Sequence, residues 1–84
     1  MNKTEIARKV NQIISGYLKI PIRNLRDDIS VDEESAWDSV THLKMLSEIE
    51  RVFKIKLSID EMIELENVGK IKEIVIKKLG DKIE

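Results

Sequence analysis

A chain of 84 residues with a formal net charge of −1 is expected to form one small domain, spanning residues 1–84, with no room for a second. With 42% hydrophobic and only 4% aromatic residues, the core has to be aliphatic. The absence of Cys excludes disulfides, thiolate metal sites and a cysteine nucleophile, and the single His leaves a transition-metal site short of ligands. Nucleic acid calls for a clustered basic face, which this even charge balance does not provide. Met1 to Glu5 lack the apolar run of a signal peptide and no stretch is long enough to cross a membrane, so a cytoplasmic protein without membrane insertion is expected.

Helical spacing begins at once. Ile6, Val10, Ile13, Ile14, Tyr17 and Leu18 draw one apolar stripe, and Asn2 with Glu5 has the form of a capping box. Gly16 weakens the end of this helix, and Pro21 stops continuation past Ile20. From Pro21 to Trp37 no period is sustained. Ile22, Leu25, Ile29 and Val31 are scattered among Asp27, Asp28, Asp32, Glu33 and Glu34, which predicts an ordered loop pinned by its aliphatics, with room for a short helical turn.

The second helix is the clearest. Val40, Leu43, Leu46, Ile49 and Phe53 share one face, while Thr41, Lys44, Glu48 and Arg51 fall largely on the other. Met45 and Val52 lie off the stripe and either flank the core or meet a partner. Ser58 with Glu61 forms a second capping box, opening a short segment through Ile59, Met62 and Ile63. Asn67 can cap a last helix with the stripe Val68, Ile71, Ile74, Val75 and Leu79, and Gly80 is a plausible stop. No segment alternates long enough for a strand, so the class is all-α, a small helical bundle.

Asp38 and Ser39 stand where the second helix starts. Unpaired N–H groups there carry partial positive charge and favour an anion. Taken alone, an Asp-Ser pair at such a place is usually just a cap. Asp38 can serve as that cap and leave the Ser39 hydroxyl free. Asp38, Ser39 and His42 also invite a triad reading, but neighbours on one helical turn rarely supply both an oriented base and an oxyanion hole. For His42 two roles stay open: a contact with partners beside Ser39, or a solvated surface residue. Trp37 is expected to pack under the loop.

Asp38-Ser39-Val40, followed by an aliphatic-spaced helix ending at Phe53, resembles the acyl carrier protein family, whose hallmark is Asp-Ser-Leu at the start of the second helix. The first helix, the long loop, the Leu57-Ser58 approach to a short third helix and the closing helix from Val68 to Leu79 follow the same layout over nearly the whole chain. The resemblance implies a small four-helix bundle of acyl-carrier-protein type with a long loop between the first and second helices. It also implies that Ser39 receives a 4′-phosphopantetheine arm from coenzyme A, added by a phosphopantetheinyl transferase. The arm's thiol would carry acyl groups as thioesters to acyl-activating and acyl-transfer or condensing enzymes. On this reading the protein is a non-catalytic carrier and a monomer.

Residues around the arm would meet those partners: Asp38, Val40, Thr41, His42, Lys44, Met45, Glu48 and Arg51. In carriers of fatty acid synthesis the exposed face of the second helix is strongly acidic. Matched by position, Asp38 and Glu50 keep that character, Thr41 is neutral, and Lys44 and Arg51 reverse the sign, which points to a dedicated enzyme set in a specialised lipid, secondary-metabolite or cell-surface pathway. Two other readings stay open: an aminoacyl or peptidyl carrier, including a D-alanyl carrier, or a helical adaptor in which Ser39 only caps. The family layout also lets the core near Met45, Met62 and Ile63 part to admit a chain, although Met at helical spacing is ordinarily core filling.

Overall fold

The structure, a computed structural model, describes residues 2–80. Four helices follow in order: α1 (Lys3–Leu18), α2 (Ser39–Phe53), α3 (Ile59–Glu64) and α4 (Val68–Lys78), with a 3-10 turn at Ile22–Asn24 inside the long loop. No strand forms among the described residues; the one sheet-like contact is an isolated bridge between Ser30 and Asn67. The expected all-α bundle and the expected turn in the loop are both present.

Helix starts were readable because they depend on short side chains. The Asn2 carboxamide accepts from the Glu5 N–H at 2.8 Å, and Asn67 accepts from the Lys70 N–H at 2.8 Å. Ser58 and Glu61 form the full reciprocal box, the Ser58 hydroxyl accepting from Glu61 N–H and the Glu61 carboxylate accepting from Ser58 N–H. Helix ends fall where expected, α1 before Pro21, α2 at Phe53 and α4 one residue short of Leu79, but the residues that close them differ. α1 runs through Gly16 to Leu18 and closes on Lys19 in the left-handed conformation, φ 58°, while α2 closes on Lys54, φ 55°. Both ends thus use a lysine where glycine costs least. Gly80 is not left-handed, and α4 ends at Lys78 with Leu79 as its cap.

The core is aliphatic, as composition requires. α1 contributes Ile6, Val10, Ile14 and Leu18, and packs against both α2 and α4. α4 adds Val68, Ile71 and Val75, with Leu79 just beyond its end. On α2 the buried set is Met45, Leu46, Ile49 and Phe53. The stripe expected there is therefore corrected at its first turns: Val40 and Leu43 stand out in solvent, 60% and 56% exposed, and Met45 is fully buried in their stead. Burying Met45 rotates the inward face by one residue, because no helix sits above the first turn of α2 to cover Val40.

The loop is pinned from two directions. Ile29 is buried, Leu25 and Val31 are half-buried against the core, and Ile22 remains exposed. The backbone adds three bonds: Val68 N–H to the Ile29 carbonyl at 3.1 Å, Gly69 N–H to the Asp27 carbonyl at 2.9 Å, and Val31 N–H to the Glu66 carbonyl at 3.0 Å. Two orphan donors at the start of α4 are satisfied by the loop in this way. Gly69 permits the approach, since a Cβ there would lie 3.2 Å from Asp27 Cβ and 3.3 Å from its carbonyl oxygen.

α3 is different in kind. None of its side chains is buried; Met62 is half-buried, and Ile59 and Ile63 are 75% and 69% exposed. It is held by Met62 against the core, by the buried Leu57 and Leu65 on its flanks, by an ion pair from Lys78 Nζ to Glu61 at 3.0 Å, and by a bond to the Met62 carbonyl from α2.

Candidate functional site

Asp38 takes extended backbone angles, φ −95° and ψ −179°, and its carboxylate accepts from the Thr41 N–H at 2.8 Å. That hydrogen bond holds the Asp38 carboxyl below its ordinary value, as an N-cap should. With Asp38 supplying the cap, Ser39 becomes the first residue of a 15-residue helix, exposed, its hydroxyl uncommitted to the helix end. An anion attached to Ser39 would face the positive end of the α2 dipole.

Beside Ser39 lies an open cleft of about 550 Å³ between the end of the loop, α2 and α3. Its walls are apolar, built from Val31, Trp37, Leu43, Ile59, Met62 and Ile63. Among the described residues, Asp38 and Glu66 are the only carboxylates lining it, and neither Lys nor Arg does.

His42 organises this cleft, in a role the sequence did not reveal. The buried Trp37 donates its indole N–H to His42 Nδ1 at 2.9 Å, and His42 Nε2 lies 2.8 Å from the Met62 carbonyl. An indole N–H can only donate, so Nδ1 is the acceptor and the proton sits on Nε2, which donates to Met62. One neutral imidazole therefore joins loop, α2 and α3. The reading of His42 as a solvated surface residue is corrected: the ring is half-buried and both nitrogens are engaged. For the same reason it offers Ser39 no free base. A buried Trp needs a partner for its N–H, and that requirement was the available clue.

The remaining residues named from the sequence separate into two sets. Val40, Leu43 and Lys44 are exposed on α2 near Ser39, and Thr41 is half-buried. Met45 is corrected: a fully buried side chain meets no partner. Arg51 pairs with Glu48 one turn back at 2.6 Å, which raises the guanidinium above its ordinary value chiefly through that hydrogen bond. Glu50 is turned inward to accept the Leu57 N–H at 2.8 Å. Of the acids on α2, one is paired and the other ties down the following loop, while Lys44 stands exposed.

Residues 8–75 match the family model described as the phosphopantetheine attachment site. The chain belongs to that family. A comparison with curated protein sequences gives no match. Among solved structures, the holo acyl carrier protein of Geobacter metallireducens is 29% identical with a TM-score of 0.77, covering 90% of this chain and 87% of its own. The acyl carrier protein of Enterococcus faecalis shares the fold at 23% identity and a TM-score of 0.78, covering 93% of this chain and 99% of its own. The carrier domain is thus an acyl-carrier-type bundle, and its prosthetic group is covalently attached 4′-phosphopantetheine. An exposed serine at a helix N-terminus beside an apolar cleft fits that group.

Proposed function

We propose that Ser39 is the attachment point and that the domain, residues 1–84, is a monomeric, cytoplasmic, non-catalytic carrier presenting thioester-bound acyl groups to partner enzymes. The observation that carries the reading is the division of labour at the start of α2: Asp38 caps the helix, and Ser39 stands exposed on the rim of the cleft. When bound, the prosthetic group supplies the thiol that a chain without Cys lacks. The chain's own residues orient the arm, through the α2 N-terminus, and offer apolar shelter beside it. The adaptor alternative needs Ser39 as the cap, a place that Asp38 fills.

Intact mass after incubation with coenzyme A and a promiscuous phosphopantetheinyl transferase tests the attachment. One arm should be gained by the protein and none by Ser39→Ala; a gain that survives the substitution defeats the reading.

The partners proposed are that transferase and a dedicated set of acyl-activating and acyl-transfer or condensing enzymes in a specialised lipid, secondary-metabolite or cell-surface pathway. Support comes from the charges on α2, where Glu48 is paired, Glu50 is engaged and Lys44 is free to meet an acidic rim. Efficient elongation on the holo protein by housekeeping fatty acid synthesis enzymes would sink this part of the proposal.

A further inference from the structure

The seam between α2 and α3 is crossed by His42. α3 buries no side chain completely; Met62 packs half-buried against the core between the buried Leu57 and Leu65. The polar tie to α2 at this point is the bond from His42 Nε2 to the Met62 carbonyl, with Trp37 fixing the ring from the other side. Behind the tie the core is closed, with Met45, Leu46 and Ile49 at 0% exposure. In front of it lies the cleft with Ser39 on its rim.

We propose that His42 is a latch, a positioning residue that keeps α3 seated on α2 and holds an apolar cargo tethered at Ser39 in the surface cleft, outside the bundle core. The inference rests on Ser39 being the attachment point. With the latch closed, a chain leaving Ser39 meets the walls formed by Val31, Leu43, Ile59 and Ile63; to reach Leu46, Ile49 or Ile71 it has to part α3 from α2 and break the bond from His42 Nε2 to the Met62 carbonyl. The cleft also selects by charge. Its lining charges are the carboxylates Asp38 and Glu66, so an uncharged aliphatic acyl group fits and one ending in a carboxylate is repelled.

The test uses isotope-labelled protein carrying a hexanoyl or octanoyl pantetheine arm in a non-hydrolysable amide linkage on Ser39. Intact mass is read first, and failure to load would count against the attachment reading and not against the latch. On the loaded protein, nuclear Overhauser contacts from the acyl chain should fall on Val31, Leu43, Ile59 and Ile63. Imidazole 15N resonances should show one protonated and one unprotonated nitrogen, and the Trp37 indole N–H should stay protected. In His42→Ala the contacts should move toward Leu46, Ile49 and Ile71. His42→Phe, which keeps an aromatic ring of similar size and cannot donate to Met62, serves if His42→Ala does not fold. Core contacts in the unsubstituted protein, contacts with neither set, loss of the imidazole signature on loading, or an unchanged distribution in the folded variant would each overturn the proposal.

Discussion

The indole N–H of Trp37 points at Nδ1 of His42, 2.9 Å away, with the two rings tilted by 32° and their centroids 6.0 Å apart. This pair fixes which nitrogen of the imidazole carries the proton, and hence which one can reach α3. Trp37→Phe loses the bond and also packing, because the phenyl ring is smaller than the buried indole, and should cost about 1–3 kcal/mol. His42→Ala strips the Met62 carbonyl of its donor and leaves the buried indole N–H unpaired, and should also cost about 1–3 kcal/mol. Urea denaturation of the two variants beside the parent checks both; no loss in His42→Ala would contradict the tie.

Core and surface on the same helix should respond in opposite ways. Met45→Ala empties a fully buried site and should cost about 2–5 kcal/mol, enough to unfold a large fraction of so small a domain. Leu43→Ala, on an exposed wall of the cleft, should leave thermal unfolding nearly unchanged while lowering acyl transfer from the holo protein. A stable Met45→Ala variant would show that the first turns of α2 had been misplaced.

Gly69 tests the junction between loop and α4. Alanine there places a methyl 3.2 Å from Asp27 Cβ and 3.3 Å from the carbonyl that Gly69 itself bonds. The loop must give way, and a loss on the order of 1–3 kcal/mol is expected. In that variant amide exchange should quicken at position 69 and at Val31 before it does in the interior of α1.

Lys54 carries the opposite opportunity. A lysine at φ 55° bears a steric cost of roughly 1–2 kcal/mol that glycine escapes, offset in part by the greater chain entropy glycine loses on folding. Lys54→Gly should therefore stabilise by about 0.5–1 kcal/mol, a rise of a few degrees in Tm. No rise would mean that relief of strain and entropy cancel.

Acid should loosen first the two helix starts that rely on a carboxylate. Asp38 is held below 3.8, chiefly by the Thr41 N–H, and Glu61 below 4.5, chiefly by the Ser58 N–H and then by Lys78. A depressed carboxyl contributes stability that is fully present above its unfolded-state value and is lost as pH falls toward its folded-state value. Stability should thus be level above about pH 5 and decline below it. Asp38→Asn, which can still cap, and Glu61→Gln should each flatten part of that decline in denaturation midpoints measured across the range.

What the sequence made legible was local. Asn2, Asp38, Ser58 and Asn67 were all identifiable because a short polar side chain three residues ahead of its N–H needs no tertiary information. The stripes of α1 and α4 were legible because both pack along their lengths, whereas Val40 and Leu43 were misassigned because only the third dimension shows that nothing covers that turn. The site divided in the same way. Asp38 as the cap followed from helix-end chemistry, while Ser39 as the proposed attachment point followed only from the resemblance carried by Asp38-Ser39-Val40 and the helix after it. The His42 tie to Met62 spans 20 residues, and no spacing rule reports a side chain bonding a distant carbonyl.

The attachment of α3 has an evolutionary corollary. Because Ile59 and Ile63 stand in solvent, while Met62, the flanking Leu57 and Leu65, an ion pair and one imidazole seat the helix, those two isoleucines can be exchanged without repacking α1, α2 or α4. The face beside Ser39 is then free to change while the bundle beneath it keeps its stability.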